Sequence, residues 1–148
     1  MYFQFENGPD DSHFCKPTSV AVARDGSYFF VADGYCNKRV IKYKLDTKDG
    51  VEVATKVFEI TEVDLVPKEF KIPHSLALIL EDSEICVADR EHGRVLCFDS
   101  GDGSFTRIIR PPQVGSSVFG ISYSPTGKLG GQLQPLGENI DFKRRNVR

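Results

Sequence analysis

At 148 residues the chain has the length of one ordinary domain with a core of its own. Its 40% hydrophobic and 27% charged content is that of a globular protein, and a formal net charge of -2 supplies no global field for nucleic acid. No run approaches the ~20 consecutive apolar residues that cross a bilayer, and the opening MYFQFENGPDDS lacks the basic start and apolar run of a signal peptide.

Residues 1–12 read as an N-terminal segment. Val20 and Val22 then alternate with Ala21 and Ala23 as a first strand, and Asp25-Gly26 makes a turn. Tyr28 to Ala32, rich in aromatic and β-branched residues, is a second strand; Arg39 to Leu45 is a third, and a fourth falls within 51–60 after Asp49-Gly50. Leu76–Leu80, Glu84–Asp89, Arg94–Asp99 and Phe105–Arg110 repeat the series, the last two separated by the Gly-rich turn SGDGS. Val118, Phe119, Ile121 and Tyr123 begin a third series. Residues 124–148, rich in Gly, Pro and polar side chains, read as loop or a disordered tail, ending in the basic cluster Lys143, Arg144, Arg145 and Arg148. That cluster reads as a solvated terminus. No segment reads as a helix.

The series is a true repeat. Pro17 matches Pro73, Ser19 matches Ser75, and Val31-Ala32-Asp33 match Val87-Ala88-Asp89, all at one offset; after a one-residue deletion Arg39-Val40 match Arg94-Val95. A fixed period with several short strands per unit is the signature of a propeller blade. The expected fold is therefore all-β, a β-propeller present as about two and a half blades. Blades are expected at 15–62 and 72–110, with the start of a third at 118–123, giving a partial propeller over 13–123 and a non-repeat tail over 124–148. A propeller needs at least four blades to close, so the chain is expected to be part of a larger protein, any signal peptide lying upstream.

Blade topology brings the start of a first strand and the end of a second to one rim. In blade one that rim carries Cys15, Thr18, Gly34, Tyr35 and Cys36; in blade two, His74, Arg90 and Glu91. First strands line the central channel, so His74 is placed to meet groups from other blades. Cys15 and Cys36 share a rim. Cys86 and Cys97 are symmetric about the same turn as Asp89 and Arg94, which sets them opposite each other on neighbouring strands. Of the three connectivities that four cysteines allow, the repeat favours the one that joins these two pairs, against a reading of four buried thiols. Disulfides imply the secretory pathway, a secretory granule or the extracellular space. From spacing alone, His74 is as well read as structural, Tyr35 as packing, and Arg90 as a surface partner of Glu91.

The segments HFCKPTSVAV, VADGYCNKR, FKIPHSLAL, CVADREHGRVLCF and VFGISY, in this order, resemble the catalytic core of the peptidyl-α-hydroxyglycine α-amidating lyase family over residues 13–123. The resemblance implies a six-bladed NHL-type propeller that cleaves peptidyl-α-hydroxyglycine to a peptide amide and glyoxylate, the second step of peptide C-terminal amidation. It implies that His74 is one of three histidines holding a zinc ion, that Tyr35 is the catalytic tyrosine, and that Arg90 is an active-site arginine beside it. It also implies two disulfides, Cys15–Cys36 and Cys86–Cys97, and a structural calcium site. The other two zinc histidines and most of the calcium site fall in blades outside this chain, so the chain by itself is expected to lack useful activity. Ser19 stands where the family usually has aspartate, and His92 where it usually has asparagine.

The chemistry implied is removal of a proton from the substrate hydroxyl as the C–N bond breaks. Histidine-bound zinc would lower the pKa of that hydroxyl, and Tyr35 would accept the proton in the field of zinc and Arg90. The competing reading is a non-catalytic NHL propeller that binds a partner protein.

Overall fold

The computed structural model describes residue 8 and residues 13–110, 117–124, 129–134 and 139–142. Three antiparallel sheets follow one another along the chain. The first runs β1 (Ser19–Val22), β2 (Tyr28–Asp33), β3 (Arg39–Lys48) and β4 (Val51–Ile60) in that order across the sheet. The second runs β5 (Pro73–Ile79), β6 (Glu84–Asp89), β7 (Arg94–Asp99) and β8 (Phe105–Ile109). The third places β9 (Ser117–Tyr123) beside β10 (Leu129–Gln134) and β11 (Asn139–Phe142). The one helical turn among the described residues is the 3-10 segment Arg90–His92. Four-stranded meanders stacked in sequence are propeller blades, so the all-β propeller expected from the sequence is the fold found.

Period-two alternation decides which face meets which blade. On β6 and β7, Ile85, Val87, Leu96 and Phe98 join Phe30, Ala32, Val40 and Phe70 in a core between blades one and two. The intervening residues Cys86, Ala88, Val95 and Cys97 join Val118, Ile121 and Leu129 in a core between blades two and three. Blade two is thus buried on both faces, and all six residues of β6 are buried. On blade one, by contrast, Val20 and Val22 of β1 are both 58% exposed.

Within 124–148 the structure differs from the loop read from the sequence. Residues 129–134 pair with β9 and residues 139–142 with β10. The Gly-Gly-Gln composition here carries no strand preference of its own; the open edge of β9 supplies the hydrogen bonds that hold it extended.

Blades one and two are each fixed at the rim by one buried aspartate. Asp33 accepts hydrogen bonds from Cys15 N at 2.8 Å and Asn37 Nδ2 at 2.6 Å, and pairs with Arg39 Nε at 3.2 Å. At the equivalent places in blade two, Asp89 accepts from Lys71 N at 2.7 Å, faces His92 Nδ1 at 2.8 Å and pairs with Arg94 Nε at 2.7 Å. His92 therefore does in blade two what Asn37 does in blade one, and a ring N–H serves as well as an amide N–H.

Candidate functional site

The heads of β1 and β5 each reach forward to the next blade. Thr18 Oγ1 donates to Pro73 O at 2.7 Å, and Ser19 Oγ accepts from Leu76 N at 3.1 Å. One blade on, His74 Nδ1 lies 2.7 Å from Phe119 O, and Ser75 Oγ accepts from Ile121 N at 3.1 Å. His74 thus takes the place of Thr18 in the stitch. A carbonyl only accepts, so in the neutral ring Nδ1 carries the proton and Nε2 keeps its lone pair. This is the tautomer a metal-ligating histidine needs, set by a backbone carbonyl.

Tyr35 comes to the same place from blade one. Its neighbour Gly34 lies so close to Pro73 O that a Cβ would collide with it, and Thr18 Oγ1 would be 3.1 Å away. With no side chain in the way, the rim turn of blade one seats on the head of β5, and the Tyr35 and His74 rings stand 6.3 Å apart, edge to face. Arg90 Nη1 donates to Tyr35 Oη at 3.2 Å, and its guanidinium carbon lies 5.6 Å from the Tyr35 ring centre and 4.9 Å from that of Phe119. Arg90 Nε also binds Glu91 Oε1 at 2.7 Å, so the arginine makes the surface pair and reaches the tyrosine together. Burial disfavours the Arg90 cation, but its hydrogen bonds to Glu91 and Tyr35 outweigh this and raise its pKa above the ordinary arginine value. The arginine is therefore a fixed cation beside the phenol. Tyr35 is 46% exposed, open to a ligand at the rim.

The backbone holding His74 is strained. Ile72 has φ 75°, a left-handed conformation that a β-branched residue rarely adopts. It is held by Arg90 N donating to Ile72 O at 3.0 Å, Glu91 N donating to Lys71 O at 3.2 Å, and Lys71 N bound to Asp89. The turn that presents Arg90 is thus tied to the arm that presents His74.

All three residues singled out for chemistry in the sequence, Tyr35, His74 and Arg90, meet on one rim. Cys15 and Cys36 form a disulfide beside Tyr35; Cys86 and Cys97 form the second, within the core between blades two and three and away from the rim. The sequence alone assigns no role to Gly34, Thr18, Ile72 or Phe119. The repeat alignment of Thr18 with His74 is the available signal for the stitch. The Phe119 carbonyl has none, because a backbone acceptor leaves no mark in a sequence.

The zinc implied by the sequence resemblance is tested by donor chemistry. His74 fits as one ligand through its Nε2. Among the described residues the one cluster of three metal-type side chains is Glu84, Cys86 and Cys97, and those cysteines are bonded to each other. A hollow of about 830 Å³ lies at the far ends of the first strands, lined by Arg24, Leu80, Glu81, Tyr123 and Ser124. It lies at the opposite ends of these strands from His74, so volume alone does not locate the chemistry.

Comparisons with known proteins agree with this architecture. The NHL repeat pattern matches residues 70–98. The Cps50 (Swd1) β-propeller domain of Myceliophteria thermophila superposes with a TM-score of 0.69 at 13% identity, over 86% of this chain and 38% of that one. A periplasmic gluconolactonase of Pseudomonas aeruginosa does so with a TM-score of 0.61 at 18% identity, over 86% and 39%. Identities this low speak to fold alone, and with the repeat they define the class: an NHL-type β-propeller, present here in part.

Sequence relatives narrow it. Peptidyl-α-hydroxyglycine α-amidating lyase 1 of Drosophila melanogaster is 44% identical over 121 residues, 81% of this chain and 22% of that protein. Lyase 2 of the same fly is 35% identical over 128 residues, 80% and 28%. Peptidyl-glycine α-amidating monooxygenase B of Xenopus laevis is 42% identical over 125 residues, 84% and 14%. The chain belongs to the peptidyl-α-hydroxyglycine α-amidating lyase family, and spans between 14% and 28% of the length of these three relatives.

Proposed function

We propose that this chain carries part of the active site of a peptidylamidoglycolate lyase, which converts peptidyl-α-hydroxyglycine to a peptide amide and glyoxylate. The observation that carries the reading is the convergence of Tyr35, His74 and Arg90 from two blades on one rim. The reaction moves one proton and breaks one bond: the hydroxyl loses its proton, the C–N bond cleaves to leave an aldehyde, and the amide nitrogen gains a proton. Tyr35 accepts the hydroxyl proton and returns it to the nitrogen. Arg90 holds the phenol in place and supplies positive charge as phenolate character develops. His74 would hold a zinc ion through Nε2 together with two histidines of other blades, and the ion, when bound, would supply Lewis acidity to the hydroxyl oxygen. Two disulfides fit a protein of the secretory pathway. No helix among the described residues is long and apolar enough to cross a membrane.

The test is glyoxylate release by the full-length protein, with metal content measured on the same samples. Tyr35→Phe is expected to lose about two to four orders of magnitude in rate while keeping its zinc. His74→Ala is expected to lose zinc and turnover together. Near-normal turnover of Tyr35→Phe at unchanged metal content would remove the tyrosine from the mechanism.

A further inference from the structure

The connection from β4 to β5, residues 61–72, leaves the outermost strand of blade one and arrives at the innermost strand of blade two. It therefore crosses the rim from outside to axis. Beside it lies an open groove of about 360 Å³, lined by Lys38, Lys68, Glu69, Lys71 and His92 over Pro67 and Phe70. Three lysines against one glutamate make this groove basic on a chain whose formal net charge is -2. The three lysines are exposed. Lys38 and Lys71 have no carboxylate partner among the described residues, and Lys68 has only a loose one, Asp64, at 4.0 Å.

The groove is continuous in sequence with the site. Lys38 follows Tyr35 in one rim turn, Lys71 precedes His74 in the strained arm, and His92 follows Arg90 in the same 3-10 turn. The arm is tied down through Lys71 N on Asp89 Oδ1 at 2.7 Å, and His92 faces the other oxygen of that carboxylate at 2.8 Å. Two of the groove's residues are thus anchored to the buried aspartate that also braces the site.

We propose that this groove is a subsite for acidic residues of the peptide substrate, lying upstream of the α-hydroxyglycine. This rests on the lyase reading, which puts the substrate's C-terminal residue at Tyr35 and His74. The peptide then leaves the axis along the 61–72 connection, meeting Lys71 and Lys38 first and Lys68 further out. The exposed lysines act at long side-chain reach, so they select for charge rather than for one residue at one position.

The experiment uses the full-length protein and two peptidyl-α-hydroxyglycine substrates of equal length, differing only in Glu-Glu or Gln-Gln upstream of the reacting residue. At low salt the Glu-Glu peptide is expected to have the higher kcat/KM, by about five- to tenfold for two exposed ion pairs, with the difference in KM. Lys38→Ala with Lys71→Ala is expected to bring the two peptides to one value, and about 0.5 M salt to do the same. Equal kcat/KM for both peptides in the unaltered protein, with glyoxylate released from each, overturns the subsite and leaves the lyase reading standing. If neither peptide releases glyoxylate, the lyase reading fails. Fluorescence anisotropy of the same two peptides, labelled, then decides the groove: tighter binding of the acidic peptide, lost in the double variant, upholds it, and equal binding overturns it.

Discussion

Gly34→Ala tests the seating of one blade on the next. The added methyl would be driven against Pro73 O and would come within 3.1 Å of Thr18 Oγ1. The threonine hydroxyl can turn away; the carbonyl is main chain at the head of β5 and cannot. The two rims must part, at a cost of about 1–3 kcal/mol for overpacking. The Thr18–Pro73 hydrogen bond loosens as they do, adding about 0.5–1.5 kcal/mol. Opposing this, replacing glycine narrows the unfolded ensemble, worth about 0.4–1 kcal/mol, and Gly34 is not in the left-handed region that would bar alanine. The net expectation is a loss of about 1–3 kcal/mol. Because Tyr35 is the next residue, the same displacement draws its hydroxyl from Arg90, so turnover falls with stability. The urea midpoint, followed by tyrosine fluorescence, and glyoxylate release should be measured on the same preparations. Thr18→Val is the companion: it removes the hydrogen bond without the clash and is expected to cost about 1 kcal/mol while leaving Tyr35 in place. A Gly34→Ala protein within about 0.5 kcal/mol of the original and fully active would show that the Pro73 carbonyl has room to yield, and the argument would fail.

Asp89→Asn and Asp33→Asn should differ although they are repeat equivalents. The first leaves the fully buried Arg94 without a countercharge, and its Nη1 already has no hydrogen-bond partner, so a loss of about 3–5 kcal/mol is expected. Arg39 keeps Glu59 at 3.6 Å, so its loss should be smaller; equal losses in urea unfolding would contradict this. Lys42 lies 4.3 Å from the Tyr28 ring centre, near Phe30 and Phe58, and donates to Ser100 O at 2.6 Å; desolvation there lowers its pKa from 10.5. The unfolded chain then takes up this proton more readily, so stability rises with pH from the folded value towards 10.5. Tyr43, whose pKa burial raises from 10.0, acts in the opposite sense above that pH, so the quantity to follow is the difference from Lys42→Met. A difference that stays flat from about pH 8 to 10.5 would refute the assignment.

The strands were legible because each carries its own signal. β6, Glu84–Asp89, is buried on both faces and reads as a short apolar run between two acidic ends, and the symmetry of Cys86 with Cys97 about the Asp89–Arg94 turn gives the observed register. β10 was illegible because Gly130 and Gly131 have no side-chain period, and its strand state comes from its neighbour. The rim position of Tyr35, His74 and Arg90 followed from topology, but their actual contacts depend on Gly34 lacking a Cβ and on Ile72 adopting φ 75°. Nothing in a β-branched residue announces a left-handed backbone; the neighbouring hydrogen bonds impose it.

The stitch between first strands is polar in its parts: the heads of β1 and β5 each reach forward with two side chains, and the strand ahead meets them with main-chain groups. Thr18 gives a proton forward to Pro73, and His74 gives one forward to Phe119. A blade thus offers side chains on one surface and main chain on the other, so the joint is heterologous, as between subunits of a filament. Such joints extend without limit unless the rotation from one unit to the next completes a full turn. The number of blades is therefore governed by the wedge angle of each sheet, to which the stitch itself is indifferent. A duplicated blade placed between two others would find side chains behind it and main chain ahead of it, so the ring can change size without any new contact having to be devised.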